Sequence, residues 1–164
     1  GSDFFLIGYR VFVRFKNNAG KNLRGLYILK SETDKKKMKF FGNIFTHYNY
    51  TTTDISQVKQ GSTIEINSIK SGFKILVENT RNDNLLLPGG SPFPDWKAAR
   101  RFAGPLPFTF SYMPDSNKVL IIEGVRENWT PTPLKVLSYN FSFLDKMKFT
   151  EIKLANAFTI ENIP

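Results

Sequence analysis

From Phe4 to Lys16 the chain alternates well: Phe5, Ile7, Tyr9, Val11, Val13 and Phe15 fall on one side, and Arg10, Arg14 and Lys16 on the other. Successive side chains of an extended backbone point in opposite directions, so this period of two predicts a strand with one dry face. The polar run Asn17 to Asn22, with Gly20 inside it, is turn chemistry, and Leu23 to Leu29 then returns as the antiparallel partner. A sheet therefore begins at the start of the chain.

A second constraint is the stretch from Ser91 to Gly124. Pro92 to Ala103 reads as a short helix stopped by Gly104-Pro105, with Phe93, Trp96, Ala99 and Phe102 or Ala103 as its packing stripe. Alternation starts only after that stop. Leu106 to Met113, the turn Pro114-Asp115-Ser116-Asn117 and Lys118 to Gly124 predict a hairpin, with Val119 to Ile122 apolar on both faces as in a central strand. Ile64 to Ile66 and Phe73 to Val77 form a further hairpin pattern after a loop at Gln57 to Thr63. Leu85 to Leu87 reads as a brief edge strand or a pocket lid. Leu134 to Leu144 is the last long strand, and Ile152, Leu154, Phe158 and Ile160 mark strand candidates after it.

Between the first hairpin and the rest the period changes. Ser31 or Thr33 is placed to cap a helix in which Met38, Phe41 and Phe45 recur on one side while Lys35, Lys36, Lys37 and Lys39 face water. His47 to Asp54 follows as a strand, in which either the tyrosines Tyr48 and Tyr50 or the pair His47 and Asn49 should point inward. The fold class is thus α+β and mostly β. With 41% hydrophobic residues and 16 Phe there is enough apolar surface for one domain over residues 1–164. Gly1-Ser2 has the look of a remnant of expression.

Several chemistries are excluded. The chain has no Cys and one His, so it offers no disulfide, thiolate metal site, cysteine nucleophile or multi-histidine site, and the expectation is no metal and no cofactor. Lack of cysteine fits a reducing cytosol, and a cytoplasmic location is expected. No apolar run approaches the ~20 residues that span a bilayer, so no membrane partner is expected. There is no phosphate loop, no HExxH, no nucleophile elbow and no repeat. The sequons at Asn49, Asn128 and Asn140 are accounted for by chance. The net charge of +9 attracts anions, but the basic residues are scattered and a solvated basic surface is the plainer account.

Gly25-Leu26-Tyr27-Ile28-Leu29-Lys30-Ser31-Glu32-Thr33-Asp34, the segment leading into Thr46-His47-Tyr48-Asn49-Tyr50, and Arg126-Glu127-Asn128-Trp129-Thr130-Pro131 together resemble the YqjF-like family. That is an uncharacterised bacterial family grouped by fold with acetoacetate decarboxylase. The resemblance covers about Phe5 to Phe143. It implies a cone-like antiparallel β barrel or strongly curved sheet with two or three short helices, enclosing a cavity, and leads to the expectation that further N-terminal strands of the family have been trimmed from this chain. In the decarboxylase one lysine forms a Schiff base beside a second lysine. The only adjacent lysines here, Lys35 to Lys37, fall on the expected outer side of a helix.

The aromatic inner faces and this resemblance lead to one expected function: binding of a small anionic or hydrophobic molecule inside the barrel. The candidate pocket residues are His47, Tyr50, Arg101, Tyr112, Glu123 and Trp129. Arg101 belongs to a ridge with Lys97 and Arg100 that would clamp a carboxylate or simply stay solvated. Trp129 would wall a site or pack over a sheet end. The alternative is an enzyme acting on a small keto or carboxylic acid, with Arg101 on the carboxylate and Glu123 or His47 moving protons. A basic nucleic-acid module is a third reading, disfavoured because no RNP-type arrangement is present. A homo-oligomer is left open.

Overall fold

The structure, a computed structural model, describes residues 4–79, 84–124 and 129–160. Gly1-Ser2 and the Arg126-Glu127-Asn128 part of the motif lie outside them. In chain order the elements are β1 (Leu6–Lys16), β2 (Asn22–Thr33), α1 (Lys36–Thr46), β3 (Tyr50–Thr52), β4 (Ser56–Gln60), β5 (Thr63–Ser68), β6 (Phe73–Glu78) and α2 (Trp96–Ala103). They continue with β7 (Phe108–Met113), a 3-10 turn (Pro114–Ser116), β8 (Lys118–Glu123), β9 (Pro131–Pro133), β10 (Lys135–Phe141), α3 (Ser142–Lys146) and β11 (Phe158–Ile160). The protein is α+β and mostly strand. Its strands form sheets of five, four and two, and among the described residues none of the three closes on itself.

The chain divides into two compact units. Unit 1, Gly1–Thr53 with Pro105–Glu127, holds the five-stranded sheet in the order β1-β2-β7-β8, with β3 also paired to β2. The β1/β2 hairpin forms in the register the alternation requires, from Phe15 opposite Leu23 to Leu6 opposite Thr33. Ile7 and Tyr9 are buried, and Arg10 and Arg14 are exposed. On its far side β2 pairs in parallel with β7 through Gly25 to Tyr27, and with β3 through Ser31 to Thr33. Gly25 is required there because a Cβ would collide with the Phe108 carbonyl and the Phe110 ring.

Those pairings explain why β2 runs to Thr33 instead of ending at Leu29. Ser31 to Thr33 bond to strands on both edges, and the Thr53 N–H donates to the Thr33 carbonyl at 2.9 Å. A side-chain cap offers one bond in their place. The helix consequently starts late, after Lys35, which makes no side-chain cap.

α1 also turns the opposite way from its expected orientation. Gly42 lies against the Tyr50 ring, closely enough that a Cβ would collide with it. The Asn43 amide bonds to the Tyr50 backbone, accepting from its N–H at 2.6 Å and donating to its carbonyl at 3.0 Å. With small and polar residues seated on the sheet, Phe41 and Phe45 point to solvent beside Phe40 and Ile44. Met38 is half-buried. His47 ends the helix in the left-handed region at φ 52°, and of the two candidate pairs it is the tyrosines that turn inward: Tyr50 is buried, Tyr48 half-buried, His47 and Asn49 exposed. β8, apolar on both faces, is the edge strand of this sheet, not a central one.

Unit 2, Asp54–Gly104 with Asn128–Pro164, holds the antiparallel sheet β10-β6-β5-β4 and the β9/β11 pair. The stretch read as a loop at Gln57 to Thr63 supplies β4, which hairpins onto β5. Along β10 and β6 the rings of Tyr139, Phe141 and Phe73 stack, with centroids 5.5 and 4.9 Å apart. Asp95 caps α2 by accepting from the Ala98 N–H at 2.7 Å, and Ala99 is fully buried as its stripe predicts. Leu85 to Leu87 forms no strand, although the Leu85 carbonyl accepts from the Trp96 indole at 2.6 Å.

Candidate functional site

A bulge in the first hairpin sets the site. Tyr9 and Val11 are two residues apart on β1, whereas their partners Lys30 and Tyr27 are three apart on β2. One extra residue on β2 shifts its alternation by one, because side-chain direction follows register. Lys30 and Glu32 are thereby delivered to the same face as Ile7 and Tyr9, the apolar face of β1. Without the bulge Leu29 and Ser31 would stand there.

The result is a carboxylate inside a hydrophobic surface. Lys30 Nζ lies 2.7 Å from Glu32 Oε1, with the lysine side chain 27% exposed and the glutamate 3%. Glu32 Oε2 is buried and has no hydrogen-bond partner among the described residues. Tyr9, diagonal to Glu32 across the hairpin, has its phenol pushed up to about 12, first by burial and then by the negative charge of Glu32. The cluster therefore sets the Lys30–Glu32 pair beside a phenol that keeps its proton at neutral pH, within one apolar wall. Among the described residues no group of three or more His, Cys, Asp or Glu side chains is placed to hold a metal ion.

On the opposite face, Tyr50 pairs with Ser31 and is likewise raised, by burial and then by Tyr48, against the pull of Arg10. Two hydroxyls tie the turn after α1 to β7: Tyr48 and Thr109 hydrogen-bond at 2.5 Å, and Ser111 donates to the Thr46 carbonyl at 2.9 Å. A recess of about 470 Å³ opens beside the helix, lined by Lys36, Lys39, Phe40, Asn43, Ile44 and Thr52. In unit 2 a smaller one of about 250 Å³ is lined by Tyr139, Asn140, Phe141, Leu144, Asp145 and Ile152.

The six residues marked in the sequence are spread out. In unit 1, His47 is exposed at the end of α1 and Tyr50 is buried at the start of β3. Tyr112 and Glu123 are exposed near opposite ends of the β7/β8 hairpin, where the Tyr112 hydroxyl donates to Asn117 Oδ1 at 3.0 Å and so braces the turn. In unit 2, Arg101 is exposed in the last turn of α2, and Trp129 is half-buried with its indole N–H unpartnered among the described residues. Tyr9, Lys30 and Glu32 were not among the six. Lys30 and Glu32 reach that face only through the bulge, which puts them out of phase with Ile28 and which a strand ending at Leu29 leaves out. No family model matches the chain, and neither does any curated protein or solved structure.

Proposed function

We propose that this chain is a binding module for a small hydroxy- or amino-carboxylate, held on the Ile7 and Tyr9 face of the five-stranded sheet. The ligand's donor group bonds Glu32 Oε2 and its carboxylate meets Lys30. One observation carries this reading: Glu32 is 3% exposed, and one of its oxygens lacks a donor among the described residues. A buried polar group left unsatisfied costs about 1–3 kcal/mol, and native structures keep such groups where something else fills them. The Lys30 side chain, paired with Glu32 Oε1, is 27% exposed and so can be reached from solvent. The YqjF-like resemblance supports the same reading, since a curved sheet around an internal cavity is what that family's fold implies.

A keto-acid enzyme working through a Schiff base is the second reading, favoured by the presence of a lysine in this cluster. Imine formation starts from a free amine, whereas Lys30 is ion-paired with Glu32. Binding therefore stands ahead of catalysis.

Thermal-shift and calorimetric titration with hydroxy-, amino- and keto-carboxylates tests the proposal. Hydroxy- or amino-carboxylates should stabilise the protein, and Glu32→Gln should weaken them about tenfold or more, since 1.4 kcal/mol is a factor of ten. Glu123→Gln, an exposed site, should change nothing. No stabilising compound, or equal binding by Glu32→Gln, overturns the reading, and borohydride trapping of a keto acid on Lys30 would replace it with catalysis.

A further inference from the structure

The α1 helix is amphipathic with its apolar side outward. Phe40, Phe41, Ile44 and Phe45 are between 52 and 71% exposed, and no residue of the helix is buried. The rings form one continuous surface: Phe40 and Phe41 meet edge to face at 5.3 Å, and Phe41 and Phe45 stack at 6.4 Å. The anchor described above fixes this orientation, because Gly42 and Asn43 are committed to Tyr50. The greasy side is thus held away from the sheet by bonds on the other side.

Charge decides what covers it. Lys36, Lys37 and Lys39 are exposed at the start of the same helix and form no ion pair among the described residues, while Lys35 reaches Asp34 at 3.4 Å. Phe40 and Ile44 also line the 470 Å³ recess, with Lys36 and Lys39 at its rim. An apolar helix face with lysines beside it and an apolar recess behind it complements one surface chemistry: acyl chains under anionic headgroups. No helix among the described residues is long and apolar enough to cross a membrane, and α1, at 11 residues, would lie in the plane of one.

We infer that α1 docks this protein onto anionic phospholipid surfaces, with Phe40, Phe41, Ile44 and Phe45 entering the acyl boundary and Lys36, Lys37 and Lys39 contacting headgroup phosphates. Each lysine near a charged surface is worth about a fivefold gain in partitioning.

Co-sedimentation of the full chain with vesicles tests this. Binding to phosphatidylserine-containing vesicles should fall steeply with salt, should be at least tenfold weaker to pure phosphatidylcholine, and should be lost in Phe40→Ser/Phe45→Ser. Lys36→Glu/Lys37→Glu/Lys39→Glu should abolish it too. All these positions are exposed, so both variants should keep the wild-type melting temperature. Absence of vesicle binding, equal binding to neutral vesicles, or binding unaffected by either variant overturns the inference. So does a concentration-dependent dimer that Phe45→Ser dissolves in a protein that ignores vesicles, for then a second copy covers the face.

Discussion

The side-chain amide of Asn43 closes on the backbone of Tyr50 from both ends, accepting its N–H at 2.6 Å and donating to its carbonyl at 3.0 Å. Seven residues separate the two, so this clasp fixes both how the chain leaves α1 and which side of the helix faces the sheet. Asn43→Ala removes both bonds and leaves two partly buried backbone groups unpaired, which should lower unfolding free energy by about 1–3 kcal/mol in a urea titration. Asn43→Asp keeps the acceptor and loses the donor, and should fall between the two.

Gly42 sits under the ring of Tyr50, and two effects compete there. Alanine is worth roughly 1 kcal/mol more than glycine in a helix interior. Its Cβ, however, would collide with ring atoms of a side chain that is 7% exposed and cannot swing aside. Overpacking of this kind costs about 1–3 kcal/mol. Gly42→Ala should therefore destabilise the wild type and stabilise the Tyr50→Ala background, and the change of sign across the double-mutant cycle is the measurement.

Tyr9 gives a prediction in the alkaline range. Its phenol rises from 10.0 to about 12 in the folded protein, so the folded state holds the proton more tightly than the unfolded one. The associated stability is complete below pH 10 and is lost as pH rises towards 12. Tyr9→Phe should flatten that decline, and a tyrosinate absorbance titration should show Tyr9 ionising late. Glu32→Gln should bring it down only part of the way, because burial is the larger cause and the Glu32 charge the smaller.

The strand and hairpin pattern was legible because alternation is local: Ile7 and Tyr9 against Arg10 and Arg14 needs no knowledge of the rest of the chain. So was α2 with its buried Ala99, although the helix starts at Trp96 behind an Asp95 cap instead of at Pro92 and leaves Phe102 exposed. What escaped was set by distant partners. Ser31 and Thr33 are good caps by composition, but β3, some twenty residues on, claims them for the sheet. The outward turn of α1 depends on Asn43 finding the Tyr50 backbone, which no helical wheel contains. The cluster around Glu32 depends on one extra residue in β2, and a bulge leaves no mark in a pattern of polar and apolar letters beyond a change of phase.

That bulge makes the Lys30–Glu32 pair the sharpest test of the site. Lys30→Met leaves a carboxylate that is 3% exposed with its cation removed, and breaking a buried pair from one side costs about 3–5 kcal/mol. Removing both charges, as Lys30→Met/Glu32→Leu, eliminates the stranded charge and should recover most of the loss, because apolar replacements of a buried pair are often neutral or stabilising. Chemical denaturation of the two variants at pH 7 separates the cases. If Lys30→Met costs no more than the double variant at pH 7, Glu32 is not held as a buried carboxylate and neither the site nor its ligand chemistry stands. If the single variant is the weaker, the sheet retains a charge that folding alone does not need, as a group kept for recognition would be.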